Sequence, residues 1–460
     1  MESRRKMFFG RNRVFFEIVQ GLLGPQPQSF SVVGPKLIGK SQLLHFLASE
    51  QGPLMGEDFA DQRPFTFQDG ANVIVTWVDC DWQDARKDLI GWIYKKIVER
   101  VRDANISLDW KQIEQEQSSS RRIWLVARSL KEMDLRLVLL MDNFDRVFEE
   151  QWIRRETVDE LRPLTLEMAL VVATEQPLHD LDRDLAASPL FNVMTQLFLG
   201  LLEPASARDW ILSYADEFPG VPDLLDGLLD LTGMHPFLLR RLGDILLEVR
   251  QMLPGATTLS RDHVPLLRLR LAEHSRLLFE TSWRRLQQPP ARVRSDAVDS
   301  LLRQMVKGML PLGNLQPEYA SALNWLINQA VVTCCVLPNQ QGYQFFTPLF
   351  TEYVTRRLAP DNGAQPQPRP ASPELSEDVL DQFTKTEAAL LRYFKAHENQ
   401  VVPPEQLLAD VWKRPDSSNR RVQEAIRRLR LQLENIEPSI GSIENDRGRG
   451  YRFVPAKRRK

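Results

Sequence analysis

The sequence predicts a multidomain protein, α/β at its amino end and α-rich beyond, closed by a small helix-and-hairpin domain. Three observations carry that expectation. Apolar runs alternate with amphipathic segments through the first part of the chain, helical periodicity replaces them from about Leu201 to Leu358, and a proline-rich break then precedes a basic end. At 460 residues the chain exceeds one compact core, and usual domain sizes imply about three domains.

The apolar runs are Ser29–Val33, Val73–Val78, Leu137–Met141 and Ala169–Ala173. Separated by amphipathic stretches, they imply a parallel sheet flanked by helices. Beyond Leu201, Phe237-Leu238-Leu239, Leu242 and Ile245-Leu246 repeat at helical spacing, as do Leu277-Leu278, Trp283 and Leu286. Two β-rich stretches around Pro338-Asn339-Gln340-Gln341-Gly342 predict a hairpin after a helix. Ala359 to Glu374 holds five prolines in sixteen residues and reads as a semi-stiff linker.

Composition narrows the function classes. No apolar run approaches the ~18 residues of a membrane span, and the basic start, Met1 to Lys6, lacks a signal-peptide core, so a cytoplasmic protein with no membrane partner is expected. Cys80 and the adjacent Cys334 and Cys335 cannot supply a disulfide framework, and the six histidines lack metal-ligand spacing. The net charge of −2 conceals an asymmetry: Thr384 to Lys460 carries 17 Lys/Arg against 10 Asp/Glu, and the remainder 42 against 51. A basic end on an acidic body points to different partners for the two parts.

Gly34-Pro35-Lys36-Leu37-Ile38-Gly39-Lys40-Ser41 fits G-x-x-x-x-G-K-[ST], with a strand before it and an amphipathic helix after it. Backbone N–H groups of such a loop, with the positive end of the next helix, surround phosphate oxygens. Lys40 would neutralise the β- and γ-phosphates, and the Ser41 hydroxyl would ligand Mg²⁺. A carboxylate at the end of a neighbouring strand is expected to hold the same ion. The stretch Leu137–Asp142 supplies Asp142, with Asp145 three residues on. Thr174 ends the next apolar run, where open sheets bind ligands, and is a candidate γ-phosphate sensor.

Phe8-Phe9-Gly10-Arg11, the phosphate loop, "LVLLMDNFD" at Leu137–Asp145 and "TGMHPFLLRRL" at Thr232–Leu242 together resemble the STAND branch of the AAA+ ATPases, signal-transduction switches that include bacterial transcription regulators. The resemblance covers roughly Phe8 to Leu358. It implies ATP or ADP with Mg²⁺ as cofactors, with Gly10, Arg11, His235 and Pro236 flanking the adenine. It also implies a winged helix after the helical lid, matched by "GYQFFTPLFTEYV" from Gly342. The family often has a glutamate after the magnesium aspartate; this chain has Asn143. An amide cannot act as a general base, so turnover should be slow unless Asp145 takes the role. No arginine finger is evident.

In the basic end, Thr384-Lys385-Thr386-Glu387 is a capping box, Pro403-Pro404-Glu405 opens a second helix, and a third runs from about Asn419 to Glu434. Val422, Ile426, Leu429 and Leu433 share one face of the third helix, whereas Arg420, Arg421, Gln423, Arg427 and Arg428 lie on another. A hairpin follows with Arg447 and Arg449 near its tip. A basic helix suits the major groove of double-stranded DNA, and a basic hairpin suits the backbone or minor groove. Thr384/Glu387, Leu407-Leu408/Val411-Trp412, Arg421 to Arg430 and Gly448 to Phe453 resemble the OmpR/PhoB-type winged-helix effector domain along its length.

The expected architecture is therefore a P-loop NTPase parallel sheet (1–200), a helical lid (201–255), a middle helical and winged-helix domain (256–358), a linker (359–376) and a C-terminal winged-helix DNA-binding domain (377–460). The expected function is an ATP-dependent transcription-regulating switch that hydrolyses slowly and oligomerises with ATP. One alternative is a DNA-stimulated ATPase of replication, transposition or anti-phage defence; another treats the last domain as a protein-binding module.

Overall fold

The computed structural model describes residues 8–68, 70, 72–151, 155–181, 189–252, 258–337, 340–359, 385–398, 400–411, 422, 425–426, 429–430, 433, 441–446 and 450–455. Two compact units divide at Leu358 and Ala359, and each stands here by itself.

In the first unit, β1 (Ser29–Val33), β2 (Val73–Asp79), β3 (Arg136–Asp142), β4 (Ala169–Thr174) and β5 (Met194–Phe198) form one sheet in the order β2-β3-β4-β1-β5, and every pairing is parallel. The β3 sequence reads as one apolar run because both faces are covered. Leu137, Leu139 and Met141 pack with helices Leu89–Asp103 and Ser119–Glu132. Val138 and Leu140 pack on the other face with α1 (Asn12–Leu23) and α2 (Lys40–Ala48). Burying each such side chain contributes roughly 1.5–3 kcal/mol. The order sets the carboxyl ends of β1, β4 and β3 side by side, which gathers the phosphate loop, Thr174 and Asp142 at one edge of the sheet.

Sequence periodicity did not reveal β5. It lies at the sheet edge, where only Met194 and Leu197 are buried, so "MTQLF" lacks a continuous apolar signature.

After β5 the chain is mainly helical. Pro204–Leu212, Leu225–Thr232 and Pro236–Met252 make the lid, and Val264–His274 and Arg276–Leu286 follow. Helix Ser295–Lys307, β6 (Leu310–Pro311), helix Ala320–Asn328 and the hairpin β7 (Val332–Leu337)/β8 (Gln340–Phe345) build a winged helix with sheet order β6-β8-β7. Helix Pro348–Leu358 closes it. One hydrophobic cluster runs from Leu202 and Leu239 in the lid to Phe346 and Phe350, so lid and middle winged helix share a core.

The second unit contains helix Lys385–Ala396, β9 (Val401–Val402), helix Pro404–Asp410 and the antiparallel hairpin β10 (Gly441–Asp446)/β11 (Gly450–Pro455). Val422, Ile426, Leu429 and Leu433 are buried against Leu390, Phe394, Leu407 and Phe453. Strand β9 pairs with β11, Val402 opposite Tyr451. Gly450 has φ 140, and a Cβ there would stand 2.2 Å from the Val402 carbonyl oxygen, which explains the glycine before Tyr451. Thr384 and Trp412 lie outside the described residues.

Candidate nucleotide site and DNA-binding domain

The phosphate loop leaves β1 beneath Leu199. A Cβ at Gly34 would meet the Leu199 carbonyl oxygen and Ile38 Cγ2, each at 2.9 Å, so a side chain does not fit. Leu37 (φ 65) and Gly39 (φ 102) have left-handed backbones. For leucine that conformation costs roughly 1–2 kcal/mol. Successive turns of this kind form concave N–H surfaces that take anions. The Lys40 ammonium, at the start of α2, donates to the carbonyl oxygens of Gly34 at 2.6 Å and Pro35 at 3.1 Å. Burial lowers its pKa, opposed by Glu175, Asp145 and Asp142.

Ser41 and Asp142 meet: the hydroxyl hydrogen-bonds the carboxylate, which also accepts the Asn143 N–H at 2.9 Å. Burial raises the Asp142 pKa against these two bonds. The pair offers hard oxygen ligands beside a buried ammonium, a donor set that fits Mg²⁺ carried by a nucleotide. Thr174 is fully buried; its carbonyl accepts from Gly34 N–H at 3.1 Å and its hydroxyl donates to the Gln176 carbonyl at 2.7 Å. Strand β4 therefore holds the phosphate loop through backbone.

Carboxylates outnumber the sequence expectation. Asp145 accepts the Glu175 N–H at 3.1 Å, and its pKa is raised by burial and by the Glu175 charge. The Asn143 side-chain amide donates to Asp79 at 2.9 Å, across the β3/β2 register that faces Asp142 with Asp79. Glu175, unremarked in the sequence, ion-pairs with Lys36 of the phosphate loop at 3.6 Å and is the strongest carboxylate influence on Lys40. Its only signal was its place after Thr174.

The residues expected around adenine converge. Phe9 stacks on Trp210 of the lid, and Phe8 on Phe46 of α2. This sets Gly10 (φ 72) and Arg11 (φ 64) between sheet and lid. The Arg11 guanidinium donates to the carbonyls of Gly200 at 2.5 Å, Leu201 at 3.3 Å and Ile38 at 3.5 Å, and its backbone N–H to Glu203 at 3.3 Å. Burial lowers its pKa to about 10, opposed by Glu203. His235 is buried, its pKa pushed down to about 3 by burial and then by Arg11. Pro236, also buried, starts the long lid helix.

From there contacts pass to the middle winged helix. His235 lies 5.6 Å from the Phe346 ring, Thr347 Oγ1 donates to the Leu231 carbonyl at 2.8 Å, and Gly233 (φ 56) abuts the Phe346 carbonyl.

In the second unit, Arg430 lies over the Tyr451 ring at 5.8 Å, a contact that ties the third-helix segment to the hairpin. The seven expected DNA-contacting residues, Arg420, Arg421, Gln423, Arg427, Arg428, Arg447 and Arg449, lie outside the described residues.

Fold and site define a parallel α/β domain that carries a P-loop-type phosphate loop, followed by helices and a middle winged helix, and joined in one chain to a small domain that matches a transcription-regulator family. Residues 381–453 match the family described as Transcriptional regulatory protein, C terminal. The transcriptional regulatory protein YvrH of Bacillus subtilis (strain 168) is 39% identical over 67 residues, a stretch that is 14% of this chain and 28% of that protein. The chain thus spans little more than a quarter of that relative. Among solved structures, the Walker-type ATPase PABY2304 of Pyrococcus abyssi covers 76% of this chain and 97% of its own at 15% identity and TM-score 0.47. The ORC2 protein of Aeropyrum pernix, in ADPNP and ADP complexes, covers 77% and 97% at 13% identity and TM-score 0.42. No helix among the described residues is long and apolar enough to cross a membrane.

Proposed function

We propose that the chain is an ATP-binding switch of the STAND type whose C-terminal domain binds double-stranded DNA and regulates transcription. The observation that carries this reading is the lid segment Gly233 to Pro236, which lies beside Arg11 on one side and against Phe346 and Thr347 of the middle winged helix on the other. A ligand that changes the lid angle must move that winged helix, because the two share a core. Adenine nucleotide would bind between Gly10, Arg11, His235 and Pro236, with its phosphates on Gly34 to Ser41. Magnesium would sit at Ser41 and Asp142, and Thr174 would sense the γ-phosphate.

Asn143 donates to Asp79 and supplies no base, which favours slow hydrolysis as the reset step. A homo-oligomer formed with ATP would raise the effective concentration of several DNA-binding domains. The reading in which hydrolysis is itself the output, in replication, transposition or anti-phage defence, draws on Glu175, a carboxylate beside both lysines of the loop.

Genome-wide DNA footprints of the wild type and of Lys40→Ala, with phosphate-release rates measured with and without DNA, test the proposal. A switch gives nucleotide-dependent footprints and feeble turnover. Footprints unaltered by Lys40→Ala, or turnover rising steeply with DNA, would overturn it.

A further inference from the structure

The middle winged helix lacks the chemistry that nucleic acid calls for. From Tyr319 to Thr351 the sequence has no Asp, Glu, Lys, Arg or His, although 26% of the whole chain is charged. That span holds helix Ala320–Asn328 and the entire β7/β8 hairpin. The helix exposes Ala320, Ser321 and Asn324. Contact with DNA draws on Lys and Arg that neutralise phosphates, and this helix and hairpin offer none.

Strand β7 is the outer strand of its sheet, with β8 as its neighbour in the order β6-β8-β7. The Phe346 N–H donates to the Val331 carbonyl at 3.1 Å, one step beyond the pair Val332 and Phe345. Bonded and non-bonded pairs alternate along an antiparallel ladder. Thr333 and Cys335 therefore bond to β8, and Cys334 and Val336 turn their N–H and C=O groups away from it. Among the described residues no hydrogen bond takes up either of those N–H groups, and the Cys334 carbonyl meets only the Thr333 hydroxyl, at 3.4 Å. Val336 is 68% exposed and Cys334 is exposed, whereas Val332 is buried, so the accessible edge runs from Cys334 to Val336. Such an edge is a template for another strand, and proteins blunt it with charge, proline or a bulge. Residues Val332–Leu337 have no charge and no proline, and their register with β8 is unbroken.

We propose that the β7 edge pairs with β7 of a second copy of this chain, antiparallel, about a twofold axis at Cys335. A twofold axis sets each group near it against its own counterpart, so a charge there would repel itself. An uncharged strand meets its copy without that repulsion, and an antiparallel strand is complementary to itself. In this register the Cys334 N–H donates to the Val336 carbonyl of the second copy, and the Val336 N–H to its Cys334 carbonyl. Symmetry doubles both bonds, and buried Val332 is not needed. The two Cys335 residues stand opposite each other as a non-bonded pair, with Cα atoms about 4.5 Å apart, within disulfide reach. The two Cys334 residues form a diagonal pair at about 7–8 Å, outside that reach. The pairing uses no nucleotide, which sets it apart from the oligomer proposed to form with ATP.

The test uses the full chain without nucleotide. Sedimentation equilibrium should give one monomer–dimer equilibrium for the wild type and Lys40→Ala. Val336→Pro deletes an N–H that faces away from β8 and should weaken the dimer about tenfold or more. Val336→Lys leaves the backbone as it is and should also weaken it; adding Cys334→Asp should restore it, because each lysine then faces an aspartate of the other copy. Diamide, which takes up the two protons and two electrons that a pair of thiols gives off, reads the register. Disulfide dimers should form in Cys334→Ser and fail in Cys335→Ser, with Cys80 buried in both. A wild type that stays monomeric, or dimerises only with ATP, overturns the proposal. So does a dimer unchanged by Val336→Pro and Val336→Lys, or equal disulfide yield in the two serine variants. Variants that lose DNA affinity while self-association stays intact would give the wing to DNA instead, and overturn it too.

Discussion

Replacing Gly233 by alanine perturbs the joint between nucleotide site and winged helix at one atom. The residue has φ 56, and an added Cβ would stand 2.1 Å from the Phe346 carbonyl oxygen, a backbone atom with no rotamer to escape into. The left-handed backbone alone costs roughly 1–2 kcal/mol for a non-glycine residue. The clash must also drive Phe346 back, and the Thr347 hydroxyl bond to the Leu231 carbonyl, 2.8 Å and buried, shifts with it. Loss of that bond adds about 1–3 kcal/mol, so the whole effect should be about 2–5 kcal/mol. Gly227, helical with open space around it, is the control: alanine there should stabilise by up to about 1 kcal/mol. Native-state hydrogen exchange of helices Leu225–Thr232 and Pro348–Leu358 reads both changes locally. A Gly233→Ala protein that loses under about 1 kcal/mol of protection would refute the claim that this contact carries the joint.

The other predictions concern proton binding, turnover and the last domain. His235 binds its proton at about 3 when folded against an ordinary 6.5, so between these values the unfolded chain holds the extra proton and stability rises with pH. From pH 7 to 5 this residue should cost the first unit about 2 kcal/mol; His235→Gln should lose that part of the pH dependence, and an unaltered dependence would show that the ring is not buried. Asn143→Glu restores a carboxylate after Asp142 and should raise ATP turnover about tenfold or more; an unchanged phosphate-release rate would show that a missing base is not what limits hydrolysis. Gly450→Ala sets a Cβ against the Val402 carbonyl and should abolish DNA binding while nucleotide affinity stays as in the wild type, and DNA binding that survives would contradict the β9–β11 packing.

What the sequence made legible followed burial on both faces of the sheet. The strands β1 to β4 read as largely apolar runs because helices cover both sides, and the phosphate loop carried its own spacing. Strand β5 was hidden by its half-exposed edge position, and β6 and β9, two residues each, are too short to show a period. At the site, Ser41 and Asp142 meet, and the Arg11 charge acts on His235. Glu175, Phe346 and Arg292 were illegible because their contacts are with distant parts of the chain. Nothing local marks a glutamate that meets Lys36, or an arginine that meets Asp180.

The most direct measurement is the affinity of the full-length protein for its own operator DNA, with Mg-ATP, with Mg-ADP and without nucleotide, for the wild type and Lys40→Ala. The account predicts that ATP and ADP give wild-type affinities at least about fivefold apart, and that Lys40→Ala gives one affinity throughout. Equal wild-type affinities in all three conditions, with nucleotide shown to be bound, would contradict it.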